Sequence, residues 1–88
     1  MGLGELLTNE QKIVSLEQVK KLLSIEIYKI CSSTGINPDT FEYSTYVCPA
    51  ESMINGHNGF VDHRWRELEK HSKNLTSVMA KLEELKNV

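Results

Sequence analysis

The residues of this chain best suited to chemistry are Cys48, His57, His63 and His71, which flank a stretch dense in Asn and Gly. Cysteine and histidine are the commonest zinc ligands, and small zinc modules place them where a loop joins two elements. The spacing here is C-x8-H-x5-H-x7-H, with no paired C-x2-C knuckle. On a helix, His63 and His71 would stand about 12 Å apart along the axis at 1.5 Å per residue. The pattern is that of ordinary loop and surface histidines. Neither a metal nor any other cofactor is expected, although Cys48, His57 and His63 remain the set that a small zinc module would use.

Nucleophilic chemistry fares no better. Cys31 lies among apolar neighbours in a helical pattern, the setting of an inert core thiol. Cys48 has no spacing that fixes a base beside it. The string His57-Asn58-Gly59-Phe60-Val61-Asp62-His63 invites comparison with HNH-type nucleases, which need a ββα element and a basic surface. Here at most one good strand precedes the helix, and the net charge is negative. The carboxylate pair Glu83-Glu84, a candidate for acid–base work, reads as a solvated face. The chain is therefore not expected to be an enzyme.

Ten Lys and Arg stand against 12 Asp and Glu, a formal charge of −2, with a pI near 5.9. That balance excludes nucleic-acid binding by bulk electrostatics. The local cluster Arg64, Arg66, Lys70 and Lys73 alternates with Glu67 and Glu69, as on a solvent-exposed helix laced with ion pairs. A DNA-associated regulator reading through Arg64 and Arg66 stays open as an alternative, as does the zinc module. At 88 residues with 40% hydrophobic and 25% charged composition, one small globular domain over 1–88 is expected. Two cysteines are too few for a disulfide scaffold. The first ten residues lack the basic and apolar regions of a signal peptide, and no run is long enough to cross a membrane. A cytoplasmic protein with reduced thiols is expected.

The elements that would position these residues begin with an arm over 1–8. Thr8 with Gln11, and Ser15 with Gln18, both match the capping box. A helix is expected over 15–33, its stripe carrying Leu16, Val19, Leu23, Ile27 and Ile30 and its end set by Gly35. Asn37-Pro38-Asp39 is turn chemistry. Residues 41–48 alternate as a strand, with Phe41, Tyr43, Thr45 and Val47 on one face and Glu42, Ser44, Tyr46 and Cys48 on the other. A lone strand cannot satisfy its own ladder. It would pair with Gly59-Phe60-Val61 as a short hairpin, or with the same strand of a second chain. A loop over 49–60 follows, and Asp62 then caps a long helix over 62–86. The expected class is α+β, mostly helical, in the order helix, strand, long C-terminal helix.

Asp62-His63-Arg64-x-x-Glu67-Leu68 resembles the DHRxxEL segment of the Hha/YmoA family of small enterobacterial regulators, which bind a nucleoid protein. The match spans a small fraction of the 88 residues. A strand at 41–48 and long C-terminal heptads are not features of that all-helical family, so no membership is drawn.

In the last helix Val61, Trp65, Leu68, Ser72, Leu75, Met79 and Leu82 recur at spacings of 4, 3, 4, 3, 4 and 3. This is a coiled-coil-like seam in which Ser72 occupies an apolar position. Such a helix is roughly 36 Å long, whereas a compact chain of this size has a radius of gyration of about 12 Å. A homodimer formed on Trp65, Leu68, Ser72, Leu75, Met79 and Leu82 is the favoured expectation. The alternative lays the first helix antiparallel along the seam within one chain. Leu22, Ile25 and Tyr28 lie off the first helix's main stripe and hint at burial on two sides. Together these features point to a small non-enzymatic protein–protein interaction module, an inhibitor, adaptor or antitoxin-like regulator of the kind phages and mobile elements encode. Its protein target would meet Tyr46, Met53, Ile54 and His57, or the face of Ile25 and Tyr28.

Overall fold

The computed structural model describes residues 2–48 and 63–87. Two long helices dominate it: α1, Asn9–Thr34, and α2, His63–Lys86. Short 3-10 turns at Leu3–Glu5 and Tyr43–Thr45 accompany them. The two helices run antiparallel, as contacts at both ends establish. Near one end the Arg64 guanidinium donates to the Ser33 carbonyl at 3.0 Å, and at the other Lys86 Nζ meets Glu17 Oε1 at 2.9 Å. The described residues measure 51 × 30 × 17 Å, with a radius of gyration of 16.0 Å.

Helix α1 starts six residues earlier than expected because the first of the two capping boxes is the one used. Thr8 Oγ1 accepts from the Gln11 amide at 3.2 Å, and Gln11 Oε1 accepts from the Thr8 amide at 2.9 Å. Two of the orphan donors at the helix start are thereby satisfied. The Ser15 candidate lies inside the helix, where Asn9 to Val14 add another turn and a half. The end is as the sequence indicates. Gly35 adopts φ +83°, a left-handed conformation costly to any residue with a Cβ, and the amides of Gly35 and Ile36 both return to the Cys31 carbonyl. Asn37 Oδ1 accepts from the Asp39 amide at 3.0 Å, closing the turn that follows.

The α+β expectation is overturned: there is no strand among the described residues. Residues 41–48 instead fold around the 3-10 turn, closed by the Tyr46 amide on the Tyr43 carbonyl at 3.4 Å. The period-two alternation misled because it is weaker evidence than the ladder problem it raises. Without a partner edge, a local turn satisfies the backbone better than an extended run. The turn also changes the facing. Phe41, Tyr43 and Tyr46, which a strand would divide between two faces, all pack on the helical core. The Phe41 and Tyr46 rings meet with centroids 5.1 Å apart, tilted by 57°, a favourable aromatic geometry. Val47 is left exposed.

The core is built on Ile27, Cys31, Leu68 and Leu75, with Leu23, Ile30, Ile36 and Met79 around it. Leu68, Ser72, Leu75 and Leu82 are buried, and Trp65 and Met79 are half-buried. These seam positions are those the sequence marks, but it is α1 of the same chain that runs along α2. The seam expected to carry a homodimer is covered by α1 within one chain. The chain is elongated, and α1, at roughly 39 Å by the rise per residue, is long enough to run the length of α2. Val61 and the Asp62 cap lie outside the described residues. Val19, placed on the core stripe by periodicity, is 41% exposed at the edge of the interface.

Candidate protein-interaction surface

Helix α1 carries apolar side chains on both sides. Leu16, Leu23, Ile27, Ile30 and Cys31 occupy the buried or half-buried side. At 100° per residue, Val14, Leu22 and Ile25 fall on the opposite side with Tyr28 on its flank, while Val19 lies at the edge of the inner side. All five are exposed: Leu22 by 64%, Val14 by 58%, Tyr28 by 52%, Ile25 by 42% and Val19 by 41%. Gln18, Lys21 and Lys29 lie among them, also exposed. Single exposed apolar residues are ordinary, but a run of them along one helical face is a candidate contact surface.

Further apolar side chains are exposed before the start of α1. Leu3 and Leu6 in the N-terminal turn are 75% and 64% exposed. Leu3, Leu7, Leu16 and Leu85 line a shallow groove flanked by Lys12 and Lys81, about 310 Å3 in volume. It is an open trough, suited to a protein side chain more than to an enclosed small molecule.

Of the residues expected to meet a target, Ile25 and Tyr28 stand where the sequence places them, on solvent. Tyr46 does not. Its ring packs on the core, and its hydroxyl is buried without a hydrogen-bond partner. Burial, with the Cys48, Glu69 and Cys31 groups adding to it, pushes the phenol up to about 12. A group so placed holds a fold together and offers little to a partner. Met53, Ile54 and His57 lie outside the described residues. The sequence reading missed Val14 and the N-terminal leucines. The signal was there, in the Thr8 and Gln11 box that extends the helix and brings Val14 onto the face of Leu22 and Ile25.

Among the described residues, Cys31, Cys48, His63, His71, Glu67 and Glu69 make structural contacts. Cys31 is fully buried, and burial raises its thiol, which leaves it a poor nucleophile. The Cys48 amide donates to Glu69 Oε2, and Lys73 Nζ lies 3.0 Å from Glu69 Oε1. These two donors hold the Glu69 carboxyl below the usual carboxylate range, the backbone amide contributing most. His63 and His71 approach one carboxylate from either side, with Nε2 atoms 3.2 and 3.4 Å from the two oxygens of Glu67. Among the described residues, no three of His, Cys, Asp and Glu are grouped to hold a metal. Of the basic cluster, the Arg64 guanidinium donates to the Ser33 carbonyl and Lys73 pairs with Glu69. No helix among the described residues is long and apolar enough to cross a membrane.

Comparison of the chain with protein-family models, with curated proteins and with solved structures finds no match in any of the three.

Proposed function

We propose that this chain is a non-enzymatic protein-interaction module, an inhibitor, adaptor or antitoxin-like regulator that works by presenting the outer face of α1 to a protein partner. The observation that carries this reading is the double-sided character of α1. Its inner side is already committed to α2, yet Leu22, Ile25 and Tyr28 remain 64%, 42% and 52% exposed on the other. Burying such side chains stabilises a contact by about 1.5–3 kcal/mol each when burial is complete, so a partner that covers them gains a hot-spot cluster. The tying-up of Cys31, Glu67 and Glu69 in structural contacts supports the non-enzymatic part.

A photo-crosslinking amino acid at position 25 tests this in the source cell, with the same group at exposed Asp39 as control. Protein adducts at position 25 and none at position 39 are expected. No adduct at position 25, or equal labelling at both, overturns the reading.

A further inference from the structure

We infer that the partner on the outer face of α1 is a second copy of this chain, packed antiparallel so that two helical hairpins form a four-helix bundle with α1 against α1 at its centre. The inference rests on the interaction reading above and names the occupant of the same face.

Two independent observations carry it. The first is thickness. The described residues measure only 17 Å in their thinnest direction, little more than one helix with its side chains at about 10–12 Å. A two-helix hairpin buries one stripe of each helix against the other and leaves the opposite faces uncovered. The buried apolar side chains number just five among the described residues: Ile27, Cys31, Leu68, Leu75 and Leu82. A chain near 80 residues with so small a core is commonly completed by oligomerisation. A second copy would turn the outer side of α1 into a second core.

The second observation is the pattern on that side. Ser15, Gln18, Leu22, Ile25, Lys29 and Ser32 follow one another at spacings of 3, 4, 3, 4 and 3, and all six are exposed. The run reads alike in both directions, in spacing and in character: Ser, polar, apolar, apolar, polar, Ser. An isologous two-fold contact demands such self-complementarity. With the two-fold axis between Leu22 and Ile25, each Leu22 meets the other copy's Ile25, each Gln18 meets the other copy's Lys29, and each Ser15 the other copy's Ser32. Flanking them, Lys21 falls beside the other copy's Tyr28 ring, a cation–π pairing. A parallel arrangement would stack Lys29 on itself in the middle of the seam, and like charges there are disfavoured. The pattern therefore selects the antiparallel register and a partner that carries the same sequence.

The test is sedimentation equilibrium of the full chain across roughly 1–200 μM, with far-UV circular dichroism on the same samples. The wild type is expected at about 20 kDa, twice its 10.0 kDa chain mass. Leu22→Asp with Ile25→Asp is expected at one chain mass with its helicity kept, because both positions are on the surface of the single chain. A dimer weakened at least 100-fold by that pair supports the inference. A wild type that stays at one chain mass at 200 μM overturns it, as does a double variant that dimerises as well as the wild type. If the wild type is monomeric but position 25 crosslinks to a different protein in the cell, the second copy is the wrong occupant and the interaction reading stands. If it is monomeric and position 25 yields no adduct, both fall.

Discussion

Ser72 offers the sharpest test of how α1 and α2 pack. It lies in the seam of α2, fully buried, with an Oγ that has no hydrogen-bond partner. A buried hydroxyl left unsatisfied costs about 1–3 kcal/mol. Replacing Ser72 by Ala removes that cost and adds about 0.5 kcal/mol of helix propensity. The hole left by one oxygen, roughly 10 Å3, returns only about 0.2 kcal/mol at about 24 cal/mol per Å3. The net gain expected for Ser72→Ala is about 1–3 kcal/mol, a rise in Tm of roughly 4–24 °C for a domain of this size. Ser77→Ala is the control, since Ser77 is mid-helix and exposed and should show the propensity term alone. Ser72→Leu should lose about 1–3 kcal/mol by overpacking. Thermal and urea unfolding, at one fixed protein concentration, measure all three. If Ser72→Ala gains no more than Ser77→Ala, or if Ser72→Leu is the stabilised variant, the close packing of the two helices at this position is refuted.

Three further outcomes are expected. Leu68→Ala, at a fully buried position, should cost about 2–5 kcal/mol; a wild-type urea midpoint would contradict the placement of the core. Because the Tyr46 phenol is raised to about 12 by burial first and by the Cys48, Glu69 and Cys31 charges after it, the folded state keeps a proton that the unfolded state loses near pH 10. Stability should therefore fall as pH rises from about 10 to 12, and Tyr46→Phe should flatten that limb; an unchanged limb in the variant would count against the burial of the hydroxyl. Glu17 and Glu69 are both held low, Glu17 chiefly by its hydrogen bond to Lys86 and Glu69 by the Cys48 amide. Their contribution is present above the ordinary carboxylate range and lost as pH falls through the lowered values, so Glu17→Gln with Glu69→Gln should shallow the acid side of the stability profile, read by urea titrations between about pH 3 and 6.

Much of this architecture is legible in the sequence. The 4-3-4-3 spacing from Leu68 to Leu82 marks the buried line of α2, Gly35 marks the end of α1, and Asn37-Pro38-Asp39 marks the turn beyond it. The capping-box pattern occurs twice, and periodicity alone does not choose between Thr8 and Ser15. What periodicity cannot convey is the partner of each face. The same seam reads equally well as a dimer contact or as a hairpin contact, and the difference lies in whether α1 is long enough to run along it. The aromatic run at 41–48 misleads for a related reason. Phe41, Tyr43 and Tyr46 have strand propensity, but propensity there reflects a half-buried setting, and a 3-10 turn over the hairpin core supplies one as well. The proposed binding face is half legible: Ile25 and Tyr28 stand out by their angle on the helix, whereas Tyr46 is chosen on an alternation that does not form.

The most direct test of the assembly and of its direction is the dimer dissociation constant of Gln18→Glu at low salt. In the antiparallel register the carboxylate introduced at position 18 faces the other copy's Lys29, adding two ion pairs per dimer. Exposed pairs contribute about 0.2–1 kcal/mol each, so dimerisation should tighten about 2- to 30-fold, and the gain should fade as salt screens it. A parallel pairing would instead set the two introduced carboxylates against each other and weaken the dimer. Tightening that disappears in high salt is the result the account predicts; a weaker dimer, or an unchanged one, would contradict it.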